Sequence, residues 1–272
     1  MDSTDVPGQW PLVARQWLQL GSPLRPDPMD ISIVKAMIER WHNSAEARYL
    51  ILGVTPEYHA LAHTAGGTIQ AIDRTPEMIR YVWPGQPSQA ETGDWRQMPW
   101  QEPCFDLALC DGGLQLVGYP DGITAVAGEL HRMLSPDGLF IVRLFTPPKA
   151  REKPEHVLQD LNNGHIPNLN VLKLRLGMAM QTDAEHGTAL RDVWTRLHDA
   201  AGPWPEFARK LSWPLDHLLA IEAYRDSPAR MHYFTADQAI DAFEGSGFIH
   251  LESASADYIL GDQCPTLCFR RL

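Results

Sequence analysis

The chain has 272 residues, 44% of them hydrophobic and 21% charged, with a formal net charge of −11. That is enough apolar material for one large domain or two small ones, and it excludes a disordered or fibrous protein. No apolar run approaches the ~18 residues of a membrane span, and the acidic balance with scattered Lys and Arg repels phosphate backbones, so neither a membrane nor a nucleic acid is an expected partner.

The start, MDSTDVPGQW, has no basic region followed by an apolar stretch, so no secretory leader is expected and the expected setting is the cytoplasm. Trp10, Leu12, Val13 and Trp17 suggest a short helix, stopped by the breaker run Gly21-Ser22-Pro23-Leu24-Arg25-Pro26. Asp30 reads as the N-cap of a second helix, whose stripe is Val34, Met37, Ile38 and Trp41. Residues 1–44 are thus expected to form a helical extension.

Strands and helices then alternate. Tyr49 to Leu52 reads as a strand buried on both faces. Thr55-Pro56-Glu57 opens a helix to about Thr64, with Thr55 as N-cap, and Gly66-Gly67 stops it. A strand from Thr68 to Ile72 ends at Asp73, and Thr75-Pro76-Glu77 repeats the helix-start signal. Phe105 to Cys110 is a strand, Ile123 to Leu134 a helix, and Leu139 to Phe145 a strand after the turn Ser135-Pro136-Asp137-Gly138. This order predicts an α/β fold with a doubly wound, mostly parallel sheet.

From about Pro147 to Tyr233 no clear strand is expected. Val171 to Met180, Leu190 to Leu197 and His217 to Tyr224 read as helices, with Leu172, Leu176 and Met180 as core. Thr235 caps a further helix through Phe243. Phe248 to Ala254 and Thr266 to Leu272 then read as strands whose short link permits only an antiparallel pair, so the last strand enters the sheet reversed.

In such a sheet a ligand binds beyond the carboxyl ends of the strands, beside the first one. Gly53 lets a ligand approach the backbone there, and free N–H groups at the next helix start attract an anion. Asp73, twenty residues on, can accept from ribose hydroxyls. The dinucleotide pattern Gly-x-Gly-x-x-Gly is absent, as is Tyr-x-x-x-Lys, which favours a cofactor with ribose and adenine but no phosphate.

Arg48-Tyr-Leu-Ile-Leu-Gly-Val-Thr-Pro-Glu57, Ile69-Gln-Ala-Ile-Asp-Arg74, Gly93-Asp-Trp95 and Phe105-Asp-Leu-Ala-Leu-Cys-Asp-Gly-Gly113 resemble the ordered motifs of class I, Rossmann-like S-adenosylmethionine (SAM)-dependent methyltransferases. Leu130 to Phe140 is similar to their helix and turn before the fifth strand, and the reversed terminal hairpin is the family's mark. The resemblance implies a seven-stranded sheet over 45–146 and 234–272, interrupted by a helical cap or substrate lid at 147–233. It also implies SAM as cofactor. Gly53 and Thr55 would lie beneath its methionine part, Asp73 on the ribose, and Arg74 and Met78 beside the adenosine. Asp94 would take the adenine amine, Trp95 would flank that ring, and Asp111 and Gly113 would line the wall near the sulfonium. The departure is a first motif with one glycine where the family has several.

Cys110-Asp111-Gly112-Gly113 is not the Asn/Asp-Pro-Pro-aromatic sequence of amino-group methylation, so a small-molecule acceptor is expected. Acceptor-side candidates are Tyr119, His165 and Tyr224, with His186 and His198 as further polar groups of the insertion. No catalytic base is assigned, and no oligomeric state is indicated. The alternative is a catalytically inactive methyltransferase-like binding or scaffold subunit, suggested by the glycine-poor loop; a nucleotide-dependent reductase is a third reading.

Two features read as structural, and a third is open. His59 and His63 have the spacing of a two-His metal face but no acidic partner, so a solvated helix face is expected and no metal. Cys104, Cys110, Cys264 and Cys268 are expected as free thiols, the last two on one strand face rather than as a zinc pair. Leu24-Arg25-Pro26 reads equally as a connecting turn or as a segment folded over the cofactor.

Overall fold

The computed structural model describes residues 10–15, 17–42, 46–101 and 103–272; residues 1–9, which carry the leader expectation, lie outside them. Helix α1 (Trp10–Arg15) is followed by a 3-10 turn, Trp17–Gln19, and by α2 (Pro28–Trp41). Asp27, not Asp30, caps α2. The Asp27 side chain accepts from the Met29 amide at 3.0 Å, while Asp30 accepts from the Asp27 amide at 2.8 Å. Both acids fit a capping box; Pro28 at the first helical position decides between them.

The alternation follows as β1 (Arg48–Leu52), α3 (Pro56–Thr64), β2 (Thr68–Asp73), α4 (Pro76–Val82), β3 (Ala90–Thr92), β4 (Phe105–Asp111), α5 (Asp121–Met133) and β5 (Leu134–Arg143). Thr55 and Thr75 hold the N-cap positions of α3 and α4, but neither side chain makes the capping bond; Pro56 and Pro76 set the starts. Strand β3 was not anticipated: at three residues, mostly exposed, it is too short to show a period. The turn before β5 lies inside the strand, as a bulge with Asp137 at φ +62°.

Helices α6 (Pro154–Asn162) and α7 (Leu169–Met180) come next, then β6 (Thr188–Ala189), α8 (Leu190–Ala201), α9 (Trp204–Leu211), α10 (Leu215–Leu219), a 3-10 turn at Ala220–Tyr224, and β7 (Arg230–Met231). The expectation of no strand here is corrected: β6 and β7 pair antiparallel, two residues each. They escape sequence reading because a distant backbone, not local pattern, makes the pair. Leu172 and Leu176 anchor a separate apolar cluster with Val193, Leu197 and Phe207.

The chain closes with α11 (Ala236–Glu244), β8 (Phe248–Ala254) and β9 (Thr266–Arg271). Thr235 and Gln238 form a full capping box on α11. The sheet order is β3-β2-β1-β4-β5-β9-β8, parallel except for β9, which runs antiparallel to both its neighbours. Strand β1 is central, and four of its five residues are buried. All four cysteines are free thiols. The shared face expected for Cys264 and Cys268 is not found: Cys264 precedes β9 and packs among the 154–224 helices, while Cys268 packs under the sheet with α2.

Among the described residues no helix is long and apolar enough to cross a membrane.

Candidate functional site

The parallel strands end side by side, so the loops after β1, β2, β3 and β4 open into one cleft. All nine residues singled out for a cofactor line it: Gly53, Thr55, Asp73, Arg74, Met78, Asp94, Trp95, Asp111 and Gly113. The cleft encloses about 1470 Å³ of non-protein space, part of it open to solvent.

Each wall residue has a local cause. Gly53 has φ +88°, a conformation that strains any side chain, and its amide donates to the Ile72 carbonyl at 2.8 Å. Asp73 ends β2; its Oδ1 accepts from the Thr75 amide at 2.8 Å, and its Oδ2 lies 3.9 Å from where a Cβ on Gly53 would sit. Protein packed around that carboxyl raises its pKa to about 6, partly offset by the Thr75 amide and the nearby Arg74. Trp95 is held by its indole N–H, which donates to the same Ile72 carbonyl at 2.8 Å. A Cβ on Gly113 would fall 2.3 Å from the Trp95 ring, and one on Gly53 3.7 Å from it. The indole therefore lies across both glycines.

Asp94 and Asp111 reach the cleft with their carboxylates already engaged. Arg96 grips Asp94 with Nε at 2.9 Å from Oδ1 and an NH2 group at 2.5 Å from Oδ2, which holds Asp94 below the usual carboxylate range. Asp111 pairs with the fully buried Arg143, Nε to Oδ1 at 2.5 Å and NH2 to Oδ2 at 3.1 Å. Arg143 also donates to the Pro23 carbonyl at 2.9 Å and to the Tyr258 hydroxyl at 3.1 Å, and that hydroxyl donates to Asp30 at 3.0 Å. Burial raises the Asp111 and Asp30 carboxyls, an effect that Arg143 opposes.

This buried cluster ties the N-terminal segment to the sheet. Val13, Trp17, Leu20 and Leu24 consequently form one side of the cleft, and Arg25 fastens the segment through an ion pair with Glu57 on α3. Leu24-Arg25-Pro26 is thus folded over the strand ends as well as connecting two helices.

The remaining side comes from the segment after β5. Of the acceptor-side candidates only Tyr224 lines the cleft. Tyr119 stacks on Phe234 with ring centroids 5.4 Å apart, and His165 is exposed beside Asp160, so neither lines it. His186 pairs with Asp183 on the surface, and His198 stacks on Trp194 and meets Trp204 edge-on. His59 and His63 stack on one another, with His59 against the edge of Trp83. Among the described residues no cluster of three or more His, Cys, Asp or Glu is placed to hold a metal.

Sequence reading missed Lys173, which lines the cleft from the middle of α7. It is only 6% exposed; its Nζ donates to the Ala220 carbonyl at 2.9 Å and lies 4.7 Å from the centre of the Tyr224 ring. Desolvation lowers its pKa to about 7. The available signal was a lone lysine on the apolar face of the run Val171 to Met180.

Residues 52–142, from the end of β1 into β5, match the family described as "Methyltransferase domain". No curated protein sequence matches the chain. Among solved structures, one described as a Zn-dependent alcohol dehydrogenase from Rhodobacter sphaeroides aligns over 97% of both chains at 13% identity, with a TM-score of 0.65. A methyltransferase from Haloferax volcanii, solved in complex with the Trm112 methyltransferase activator, aligns over 97% of both chains at 12% identity and a TM-score of 0.55. A SAM-dependent methyltransferase from Methanosarcina mazei aligns over 92% of this chain and 99% of its own at 14% identity and 0.51. At these identities the likenesses speak for the fold alone. Residues 52–142 thus match a methyltransferase domain, and the ordered strand-end loops with the reversed β9 give the chain a class I, Rossmann-like methyltransferase fold.

Proposed function

We propose that the cleft binds SAM and that the protein transfers its methyl group to a small-molecule acceptor held against the helical segment 147–233. The observation that carries this reading is Asp73: a carboxylate at the end of β2, lining the cleft, with one oxygen taken by a backbone amide and the other beside Gly53. That acceptor fits the two hydroxyls of a ribose diol. An absent Gly-x-Gly-x-x-Gly argues against a pyrophosphate on the same loop. The dehydrogenase-described neighbour shares the fold and brings no such loop to this chain.

In this reading Gly53 and Thr55 hold the methionine part, Asp73 the ribose, and Arg74 and Met78 flank the adenosine. Trp95, fixed by Ile72, gives the adenine a rigid wall, and Asp94 offers the adenine amine the lone pairs that Arg96 leaves free. With its carboxylate on Arg143, Asp111 contributes backbone rather than charge near the sulfonium, next to Gly113. Bound SAM would supply a sulfonium-activated methyl carbon for in-line displacement. The chain's own work is then to align the acceptor and keep water out, which the N-terminal segment and the helical segment do as two lips of the cleft. Residues 45–146 and 234–272 form the cofactor-binding core and 147–233 the acceptor cap, in a cytoplasmic setting where the four thiols stay reduced.

The second reading, a binding subunit without catalysis, draws on the Trp95 contact. Gly113 is needed to seat the indole, and Gly53 to hold its φ of +88°, so their presence does not by itself require a cofactor. Calorimetry separates the readings. Micromolar binding of SAM and S-adenosylhomocysteine, with none for NAD(P), is expected; tight NAD(P) binding and none for either S-adenosyl ligand would sink the proposal. Micromolar binding combined with no methyl release in the presence of any acceptor would favour the second reading.

A further inference from the structure

Helix α7 is apolar nearly all round: Leu169, Val171, Leu172, Leu174, Leu176 and Met178 are all buried. A helix of this kind offers little solvated face for a charge, and its other basic residue, Arg175, is paired with Glu152 and Asp160. Lys173 nonetheless sits in its middle, 94% removed from solvent, and lines the cleft. A lysine ammonium has three N–H donors. One is used on the Ala220 carbonyl, and the Tyr224 ring covers another side. No acidic group acts on it among the described residues; desolvation alone perturbs it. A buried cation without a counter-ion destabilises the fold, so the position makes physical sense when a ligand supplies the missing negative charge.

The rest of that side of the cleft limits what the ligand can be. Leu116, Val117, Phe145, Leu190 and Met231 present apolar surface around Lys173 and Tyr224. The other basic groups lining the cleft, Arg74 and Arg96, stand at the strand ends, and Arg96 is committed to Asp94. Resting on the methyl-transfer reading above, we propose that Lys173 is the acceptor anchor of this cleft and that it selects small, largely apolar molecules carrying one carboxylate. A single lysine in an apolar chamber suits one negative charge; a phosphate with two would leave the second uncompensated.

Charge pairing across about 3 Å in such a chamber is strong because little water screens it. Tyr224 adds a ring wall and a hydroxyl to the same corner. The amine also has the right character for a reversible partner: near neutral pH it exchanges between charged and neutral forms, and an incoming carboxylate draws it to the charged one.

The test uses the full chain and three acid–amide pairs: benzoate with benzamide, phenylacetate with phenylacetamide, and octanoate with octanamide. Each is titrated by calorimetry into wild type and Lys173→Met, with and without saturating S-adenosylhomocysteine. In wild type at least one acid should bind ten or more times tighter than its amide. In Lys173→Met that ratio should fall to near one, while the affinity for S-adenosylhomocysteine stays within twofold. Lys173→Arg should keep part of the preference.

Equal binding of acid and amide in all three pairs, or no binding of any acid, overturns the proposal. A preference that persists in Lys173→Met overturns it too. If Lys173→Met weakens S-adenosylhomocysteine tenfold and no acid binds wild type, the lysine pairs with the amino-acid end of the cofactor instead. Failure of S-adenosylhomocysteine to bind wild type overturns the methyl-transfer reading, and the titrations without it still decide whether Lys173 holds carboxylates.

Discussion

The two sides of the cleft are built on opposite principles. On the sheet side the wall carboxylates are engaged before a ligand arrives: Asp94 by Arg96, Asp111 by Arg143, and one oxygen of Asp73 by the Thr75 amide. On the helical side the one buried charge, Lys173, has a carbonyl and an aromatic ring and no counter-ion among the described residues. Prepaired groups make a rigid, ligand-independent surface, whereas an unpaired one is costly until it is occupied. The comparison teaches where to look for selectivity: a shared cofactor needs a fixed wall, and a particular acceptor needs a group that only it completes.

The strongest way to break the sheet side is Arg143→Met. It leaves Asp111 and Asp30 buried without their cation, and it releases Pro23 and with it the N-terminal segment. Removing one partner of a buried pair costs about 3–5 kcal/mol, so the denaturant midpoint should fall steeply. A midpoint unchanged within error would show that the cluster contributes nothing.

Lys173→Met should do the reverse. Its folded pKa lies below the unfolded one, so between about pH 7 and the ordinary lysine value the unfolded chain binds the extra proton. Wild-type stability therefore rises with pH across that window. At pH 7 the substitution should add about 1–4 kcal/mol, the relieved desolvation less the lost bond to the Ala220 carbonyl, and the gain should shrink towards pH 10. Thermal melts across that range check both the sign and the slope.

A smaller effect is expected at Asp73. Loss of a charged acceptor for two hydroxyls costs about 1.5–3 kcal/mol, so Asp73→Ala should weaken S-adenosylhomocysteine roughly 10- to 150-fold with the fold intact. Because burial raises this carboxyl to about 6, its acceptor form is lost on acidification. Wild-type affinity should fall about tenfold from pH 7 to pH 5, and that of Asp73→Ala should stay flat over the same range. Calorimetry at three pH values is sufficient.

The smallest change should come from Asp94→Ala. Its pair with Arg96 is 41% and 48% exposed, and exposed pairs contribute at most about 1 kcal/mol. Cofactor affinity should drop less than tenfold, well short of the loss at Asp73. A loss equal to that of Asp73→Ala would mean that the adenine, rather than the ribose, is the principal anchor.

The amino-acid sequence by itself determined the sheet half of the molecule. The apolar runs at β1, β4 and β5, the Thr-Pro-Glu starts of α3 and α4 and the short hairpin link are local signals, and each dictates its element from residues a few positions apart. The strand-end residues were legible for the same reason: once β1, β2 and β4 are parallel neighbours, Gly53, Asp73 and Asp111 must emerge together. Only the tertiary structure decided the rest. That Asp30 serves Arg143, that Trp95 lies across two glycines, and that β6 meets β7 all depend on chain segments tens to more than a hundred residues apart. Lys173 and Arg143 are the sharpest cases. Each is a charge flanked by apolar residues, and sequence periodicity cannot say whether such a charge is solvated, paired or waiting, because its energy is set by burial and by partners that only folding brings near.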